Sequence, residues 1–343
     1  MATLAVATPT EYYYEYVTVP EGEEEPLAVA VPTLYFLLFA LGLVGNGLVL
    51  LVLRWSRGGR RLVDTFVVHL AVADLVFVLM LPLWALSAAR RHHWDFGEPL
   101  CRLSSYVLAL NRFSTVALLA CMSADRYLAV VRQLDSRFLR SSRCVRLTCA
   151  LVWSLAALLA GPALFFRRVD ALGVCSDPEE SAAFQAYALL TLLLAFVLPV
   201  AVILLCYGAI CLHLQRHCAL TTNPRTHARR RHTLKMVLAI VSAFVASWLP
   251  FAVCRAALSV VRLLGVELGA EQEAGLKRAL LLSSCLAFVN SCANPAIYLL
   301  LDRTFRRRTM LLIHACLGHR LPAQDSLSHS HTHTTQTNDS RPT

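Results

Sequence analysis

The sequence predicts an all-α membrane protein, a seven-transmembrane helix bundle with a short amphipathic eighth helix, and three observations carry that prediction. The 343-residue chain is 57% hydrophobic and 16% charged, with a mean hydropathy of +0.56. This balance leaves too little polar surface for a water-soluble domain and excludes disorder, collagen and coiled coil as the main architecture. Seven apolar runs are long enough to cross about 30 Å of hydrocarbon at about 1.5 Å per residue. The Lys and Arg residues gather beyond alternate runs, on one side of the bundle.

Taken in order, residues 1–30 form an acidic, tyrosine-rich outer tail. Its start, MATLAVATPT, has neither the basic region nor the apolar core of a cleavable signal peptide, so the first span is expected to act as signal anchor. The bundle, residues 31–301, has its spans at 31–53, 62–88, 101–131, 144–166, 184–213, 234–261 and 276–301. Pro82, Pro162, Pro199, Pro250 and Pro295 fall within them. In a bundle, neighbouring helices and waters can re-satisfy the carbonyls that such prolines free, so kinked spans are expected. Residues 302–317, with the stretch DRTFRRRTMLLIHA, form the amphipathic helix, and the polar residues 318–343 form a disordered cytoplasmic tail.

Orientation follows the basic residues. Arg54, Arg57, Arg60 and Arg61 follow span one; Arg132, Arg137, Arg140, Arg143 and Arg146 follow span three. Arg216, Arg225, Arg229, Arg230, Arg231 and Lys235 follow span five; Arg303, Arg306, Arg307 and Arg308 follow span seven. These clusters mark the cytoplasmic side and put the amino terminus outside, at the plasma membrane surface. The outer segments carry carboxylates instead, among them Glu11, Glu15, Glu21, Asp177, Glu267 and Glu273. The formal net charge of +10 therefore reports topology and not a nucleic-acid surface. Of the 12 cysteines, only Cys101 and Cys175 fall on the oxidising outer face, and they are expected to pair. Cys316, beyond the amphipathic stretch, is a palmitoylation candidate, with an unmodified tail cysteine as the alternative.

Ionisable groups at membrane depth are costly and mark function. Asp74 sits mid-span in LAVADLVFVL, with Asn46, Asn111, Thr115, Asn290, Ser291 and Asn294 available to share its charge. Several oxygen donors around one carboxylate suit a small hard cation, sodium foremost; the alternative is a protonated Asp74 in a structural hydrogen-bond network. At the cytoplasmic end of span three, Asp125, Arg126 and Tyr127 place an acid beside a guanidinium, a local ion pair that holds Arg126 until another partner competes for it.

A DRY tripeptide alone is weak. It becomes specific when combined with GN in span one, LAVAD in two, Trp153 in four, Pro199 and Tyr207 in five, SWLPF in six and NSCANPAIY in seven. With these motifs the chain resembles the rhodopsin-like, class A G-protein-coupled receptors across nearly its whole length. LPLW, WDFG, CMSADRYLAVV and SCANPAIYLLLDRTFR are similar to the chemokine and chemoattractant peptide-receptor branch. The resemblance implies Arg126, flanked by Asp125 and Tyr127, as the part that engages a heterotrimeric G protein. It implies Tyr207, Phe244, Trp248, Pro250, Asn294, Pro295 and Tyr298 as the elements that rearrange, and a sodium pocket of Asp74, Asn111, Thr115, Asn290 and Ser291. The resemblance further implies that no cofactor is required and that sodium is an allosteric modulator. Chemokine receptors usually carry a second outer disulfide between the amino-terminal segment and the last outer loop, and neither segment has a cysteine here. The acidic position that many of them use in span seven is Ser284, and Leu108 stands where amine receptors carry an aspartate.

On the outer face, Tyr12, Tyr13, Tyr14 and Tyr16 lie between Glu11 and an acidic run. That context suits tyrosine sulfation and a basic partner; the alternative is a solubilising tail. Arg112 on span three and Arg255 on span six are the strong charges expected to face an outer cavity beside Trp84 and Ser284. A guanidinium fork suits a carboxylate, so the expected ligand is a peptide or chemokine-like protein whose basic body docks on the tail and whose carboxylate reaches Arg112 or Arg255. Internal pairing of Arg112 and outward snorkelling of Arg255 are the alternatives. Ser326, Ser328, Ser330, Thr332 and their tail neighbours, once phosphorylated, offer a row of charges to an arrestin-like partner. No GxSxG, HExxH, P-loop or paired catalytic carboxylates are present, so an enzyme is not expected. The competing reading is a scavenger that takes up the peptide without coupling to a G protein.

Overall fold

The computed structural model describes residues 24–55, 62–132, 141–178, 181–217 and 224–316. Seven helical spans long and apolar enough to cross a membrane follow one another in the expected order. Span one is α1 (Glu24–Trp55); span two is α2 (Leu62–Val78) continued by α3 (Leu81–Ala89); span three is α4 (Gly97–Val130). Span four is α5 (Ser142–Ala160) with the short α6 (Ala163–Phe166), and span five is α7 (Ala182–Leu192), a π-helical turn (Leu193–Val197) and α8 (Leu198–His217). Spans six and seven are α9 (Pro224–Leu263) and α10 (Ala270–Leu301), and α11 (Arg303–Cys316) follows.

Helices overrun the boundaries expected from hydropathy at several ends: α4 starts at Gly97, ahead of 101, and α9 at Pro224, ahead of 234. α1 starts at Glu24, ahead of 31, and α10 at Ala270, ahead of 276. An apolar run measures the hydrocarbon layer, whereas a helix continues until its backbone finds another partner. Pro26 lies in the first turn of α1, where its missing N–H is one that no carbonyl of the helix would have received.

The prolines act unequally. Pro82 enters the first turn of α3, and the ladder ahead of it tightens, with Met80 N donating to Phe77 O at 2.9 Å. Span four ends its long helix at Gly161–Pro162. The π turn stands just ahead of Pro199, which cannot donate to the carbonyl four residues back. Pro250 and Pro295 lie inside uninterrupted α9 and α10.

The all-α expectation needs one addition. β1 (Arg168–Val169) pairs antiparallel with β2 (Cys175–Ser176), forming a hairpin at the outer end. Asp170 shapes its turn by accepting from Leu172 N and Val174 N, both at 2.9 Å. Gly173 has φ +75°, and a Cβ there would meet the His93 imidazole at 2.7 Å, so glycine is required twice over. Cys175 on β2 is disulfide-bonded to Cys101 on α4, with Cα atoms 5.7 Å apart, which pins the hairpin across the bundle.

Inside, Leu118, Leu119, Met122, Ile240 and Phe244 form the inner core, while Tyr35, Phe77 and Phe288 stack between spans one, two and seven. Gly42 allows span one to touch span two, because a Cβ there would lie 2.6 Å from Val78 Cγ1. Large apolar side chains such as Leu158 and Leu205 point outward, as lipid contact requires. At the inner end Asp302 caps α11 by accepting from Thr304 N at 2.9 Å and Phe305 N at 3.2 Å.

Candidate functional site

Beneath the hairpin the outer ends of the spans enclose a cavity of about 350 Å³. Trp84, Arg112, Arg255 and Ser284 all line it, as the sequence reading expects. The expectation that Arg112 and Arg255 alone bring strong charge is corrected: Arg167, Asp177 and Lys277 line the same space. Four cations thus face one carboxylate among the described lining residues. Hydropathy could not place Arg167 and Asp177, because they reach the cavity only when the disulfide folds the hairpin back over the bundle. Lys277 lies on the outer stretch of α10, at the edge of the apolar run, where a basic residue reads as a membrane boundary.

Each charge has a defined setting. Arg167 Nε meets Asp177 Oδ1 at 2.7 Å, its Nη1 donates to Cys175 O at 3.0 Å, and its guanidinium lies 5.8 Å from the Trp84 ring. Arg255 reaches Asp177 Oδ2 at 3.9 Å and stacks 4.9 Å above the Phe184 ring. Lys277 Nζ is 3.2 Å from Glu273, which also pairs with Arg262. Arg112 lies over Phe113 at 5.4 Å, and its Nε is buried with no hydrogen-bond partner in the protein. Ser284 donates to Leu280 O at 2.7 Å, which commits its proton to its own helix. Trp84 packs against Trp94 at 5.1 Å, joining the cavity wall to the first outer loop.

The cavity floor is aromatic. Trp248 contacts Phe251 at 5.8 Å and Phe244 at 6.1 Å, and Phe244 stacks on Phe196 at 6.4 Å between ring centroids. This column runs from the cavity into the inner core.

Below it lies the polar layer around Asp74, which is fully buried. Asn111 Nδ2 donates to Oδ1 at 3.2 Å, Asn294 Nδ2 to Oδ2 at 2.9 Å, and Ser291 supplies a further bond. Asn46 donates its amide to Gly42 O at 3.0 Å and Ser291 O at 2.8 Å, tying span one to span seven, while its Oδ1 is buried without a protein partner. Thr115 Oγ1, Asn290 Oδ1 and Asn294 Oδ1 are buried without a protein partner. A carboxylate in one layer with unanswered oxygens is a donor set that fits a hard cation.

At the inner end, Arg126 Nη2 meets Asp125 Oδ2 at 2.5 Å. Tyr127 is half-buried beside them, and Tyr207 lies next to Ser123 and Arg126. Tyr298 is buried against Phe305 of α11 at 5.9 Å, and Arg308 of α11 reaches Asp64 at 3.4 Å. Trp153 donates its indole proton to His69 Nδ1 at 3.2 Å, joining spans four and two. Cys316 is exposed at the end of α11. Tyr12, Tyr13, Tyr14 and Tyr16 and the serine- and threonine-rich tail lie outside the described residues.

Comparison with known proteins agrees with this geometry. The family model of the 7 transmembrane receptor (rhodopsin family) matches residues 45–298. Probable G-protein coupled receptor 25 of Mus musculus is 46% identical over 305 residues, covering 87% of this chain and 83% of its own. Apelin receptor B of Danio rerio is 36% identical over 311 residues, covering 85% and 84%. G-protein coupled receptor 15 of Mus musculus is 32% identical over 335 residues, covering 93% and 90%. The chain therefore belongs to the rhodopsin family of seven-transmembrane receptors, and it is a multi-pass G-protein-coupled receptor of the plasma membrane, not an enzyme.

Proposed function

We propose that this receptor takes a peptide or chemokine-like ligand from outside and passes its binding to a heterotrimeric G protein. The observation that carries the reading is the charge of the outer cavity, where Arg112, Arg167, Arg255 and Lys277 outnumber Asp177 within apolar walls. Such a site selects an apolar chain end bearing a carboxylate. The acidic, tyrosine-rich segment holds the basic body of the ligand, more strongly when its tyrosines are sulfated. Relatives named apelin receptors are named for a ligand, which agrees with ligand reception by this fold.

The coupling follows from differential affinity. Ligand at the cavity favours a bundle in which Trp248 and Phe244 repack, Tyr207 and Tyr298 shift, and Arg126 leaves Asp125 for the G protein. Pro250, Pro295 and Asn294 lie where α9 and α10 accommodate that change. Sodium at Asp74, with Asn111, Thr115, Asn290 and Ser291 as its surroundings, favours the closed form. The phosphorylated tail then recruits an arrestin, and a palmitoyl group on Cys316 fastens α11 to the inner leaflet.

The test is a screen of basic peptides, each as free acid and as C-terminal amide, against surface-expressed receptor with G-protein activation as readout. A free acid is expected to activate, with potency reduced by Arg112→Ala or Arg255→Ala at normal surface expression. Unchanged potency in both variants refutes the carboxylate contact. Uptake of the peptide with no G-protein activation supports the scavenger reading instead.

A further inference from the structure

We propose that Asp177 is the carboxylate resident in the cavity among the described residues, and that the carboxylate of an arriving peptide replaces it on Arg255, loosening the tie between span six and the outer hairpin in the same exchange. The proposal rests on the peptide-receptor reading above and says which guanidinium receives the anion.

The two limbs of the Arg167–Asp177–Arg255 arrangement differ. The Arg167 limb is short, 2.7 Å, and Arg167 also holds Cys175 O at 3.0 Å. It therefore lies within one rigid unit, the hairpin and the end of span four, fastened by the Cys101–Cys175 disulfide. The Arg255 limb is longer, 3.9 Å, and crosses from that unit to α9. A carboxylate that competes with Asp177 for Arg255 breaks the long limb, and Asp177 keeps its charge answered by Arg167. The exchange therefore strands no buried carboxylate, which would otherwise be the main cost of displacing it.

Arg255 is prepared for the newcomer. Its guanidinium is fixed over the Phe184 ring at 4.9 Å, so little side-chain freedom is lost when a carboxylate arrives. Its side chain is 12% exposed and that of Asp177 20%, which is open enough for a ligand group to reach and closed enough that the pair is weakly screened. Lys277 competes little for the anion, because Glu273 already faces it at 3.2 Å. Arg255 also shares α9 with Trp248, about two turns further in, so freeing it from the hairpin unlocks the helix that carries the top of the aromatic column.

Two readouts test the exchange. The first needs no ligand: nucleotide exchange on G protein by membranes with matched surface receptor. Asp177→Asn and Arg255→Gln each raise basal exchange, by roughly three- to fivefold, and the double variant raises it by less than the two effects combined, since both remove the Asp177–Arg255 tie. The second uses N-benzoylglycine as its choline salt, which presents a peptide-like amide and a carboxylate, against N-benzoylglycinamide, with the thermal midpoint of purified receptor as readout. The acid raises the midpoint of the wild type and the amide does not. Asp177→Asn lowers the half-maximal acid concentration roughly three- to tenfold, and Arg255→Gln removes the preference for acid. Asp177→Asn is isosteric and keeps an oxygen for Arg167, while Asp177→Glu retains the charge and behaves as wild type. A preference for acid that Asp177→Asn leaves untouched, or basal effects that simply add, overturns the exchange alone. Equal responses of the wild type to acid and amide overturn the exchange and the carboxylate reading together.

Discussion

Replacing Asp74 by asparagine tests the polar layer without any knowledge of the ligand. Asp74 is fully buried and accepts hydrogen bonds from Asn111 at 3.2 Å and Asn294 at 2.9 Å. The isosteric amide offers one acceptor oxygen where the carboxylate offers two, so one of these bonds is lost, a cost of about 1–3 kcal/mol. Removing a buried charge refunds desolvation of similar size, so the variant is expected to fold. What it loses is the net charge that holds a cation. A ligand of the folded form stabilises it by RT ln(1 + [L]/Kd), about 1.4 kcal/mol at a tenfold excess, which corresponds to a midpoint shift on the order of 2–4 °C. The assay is thermal unfolding of purified receptor in sodium chloride against choline chloride at equal ionic strength. Sodium is expected to raise the wild-type midpoint by that amount and to leave Asp74→Asn unmoved; equal shifts in both, or none in the wild type, would refute the sodium assignment.

The remaining predictions concern the frame. Cys101→Ser, Cys175→Ser and the double variant should lose surface expression and peptide response to the same extent. Their disulfide closes a separation of 74 residues, worth up to about 4.5 kcal/mol in the chain-entropy limit, and additive losses would refute the shared cause. Gly42→Ala should lower the thermal midpoint, since its Cβ would sit 2.6 Å from Val78 Cγ1 and overpacking costs about 1–3 kcal/mol. Gly47→Ala, whose Cβ would meet nothing within 4 Å, is the control, and an equal loss in both would refute the close approach of spans one and two.

What the sequence made legible divides along physical lines. The spans were readable because an apolar run of membrane length has few other uses, and the disulfide because only Cys101 and Cys175 lie on the oxidising side. Helix ends were not: Glu24 and Ala270 extend α1 and α10 beyond the hydrocarbon layer, where hydropathy carries no signal. Nor did the prolines declare themselves. Pro199 follows a π turn while Pro250 stays within a continuous helix, a difference set by neighbouring spans. Asp74 was visible as a charge at membrane depth, and Asn111 and Asn294 were found beside it. Asn46 was placed in the right layer and spends its amide on the Gly42 and Ser291 carbonyls, since a buried donor takes the nearest acceptor. The cavity was half legible. Arg112 and Arg255 stand out on apolar helices, whereas Arg167 and Asp177 look like ordinary loop charges until the hairpin folds over them.

In the proposed function, ligand binding outside is converted to G-protein activation through the Asp125–Arg126 pair. The measurement that bears on it most directly is nucleotide exchange on purified heterotrimeric G protein by receptor reconstituted in lipid discs, using wild type, Asp125→Asn and Arg126→Ala. Arg126 Nη2 lies 2.5 Å from Asp125 Oδ2, and on the proposed reading this pair holds Arg126 in the resting form. Asp125→Asn is therefore expected to raise exchange in the absence of peptide, and Arg126→Ala to abolish peptide-stimulated exchange while peptide binding at the outer cavity persists. Peptide binding by the wild type with no exchange on any class of G protein would contradict the account.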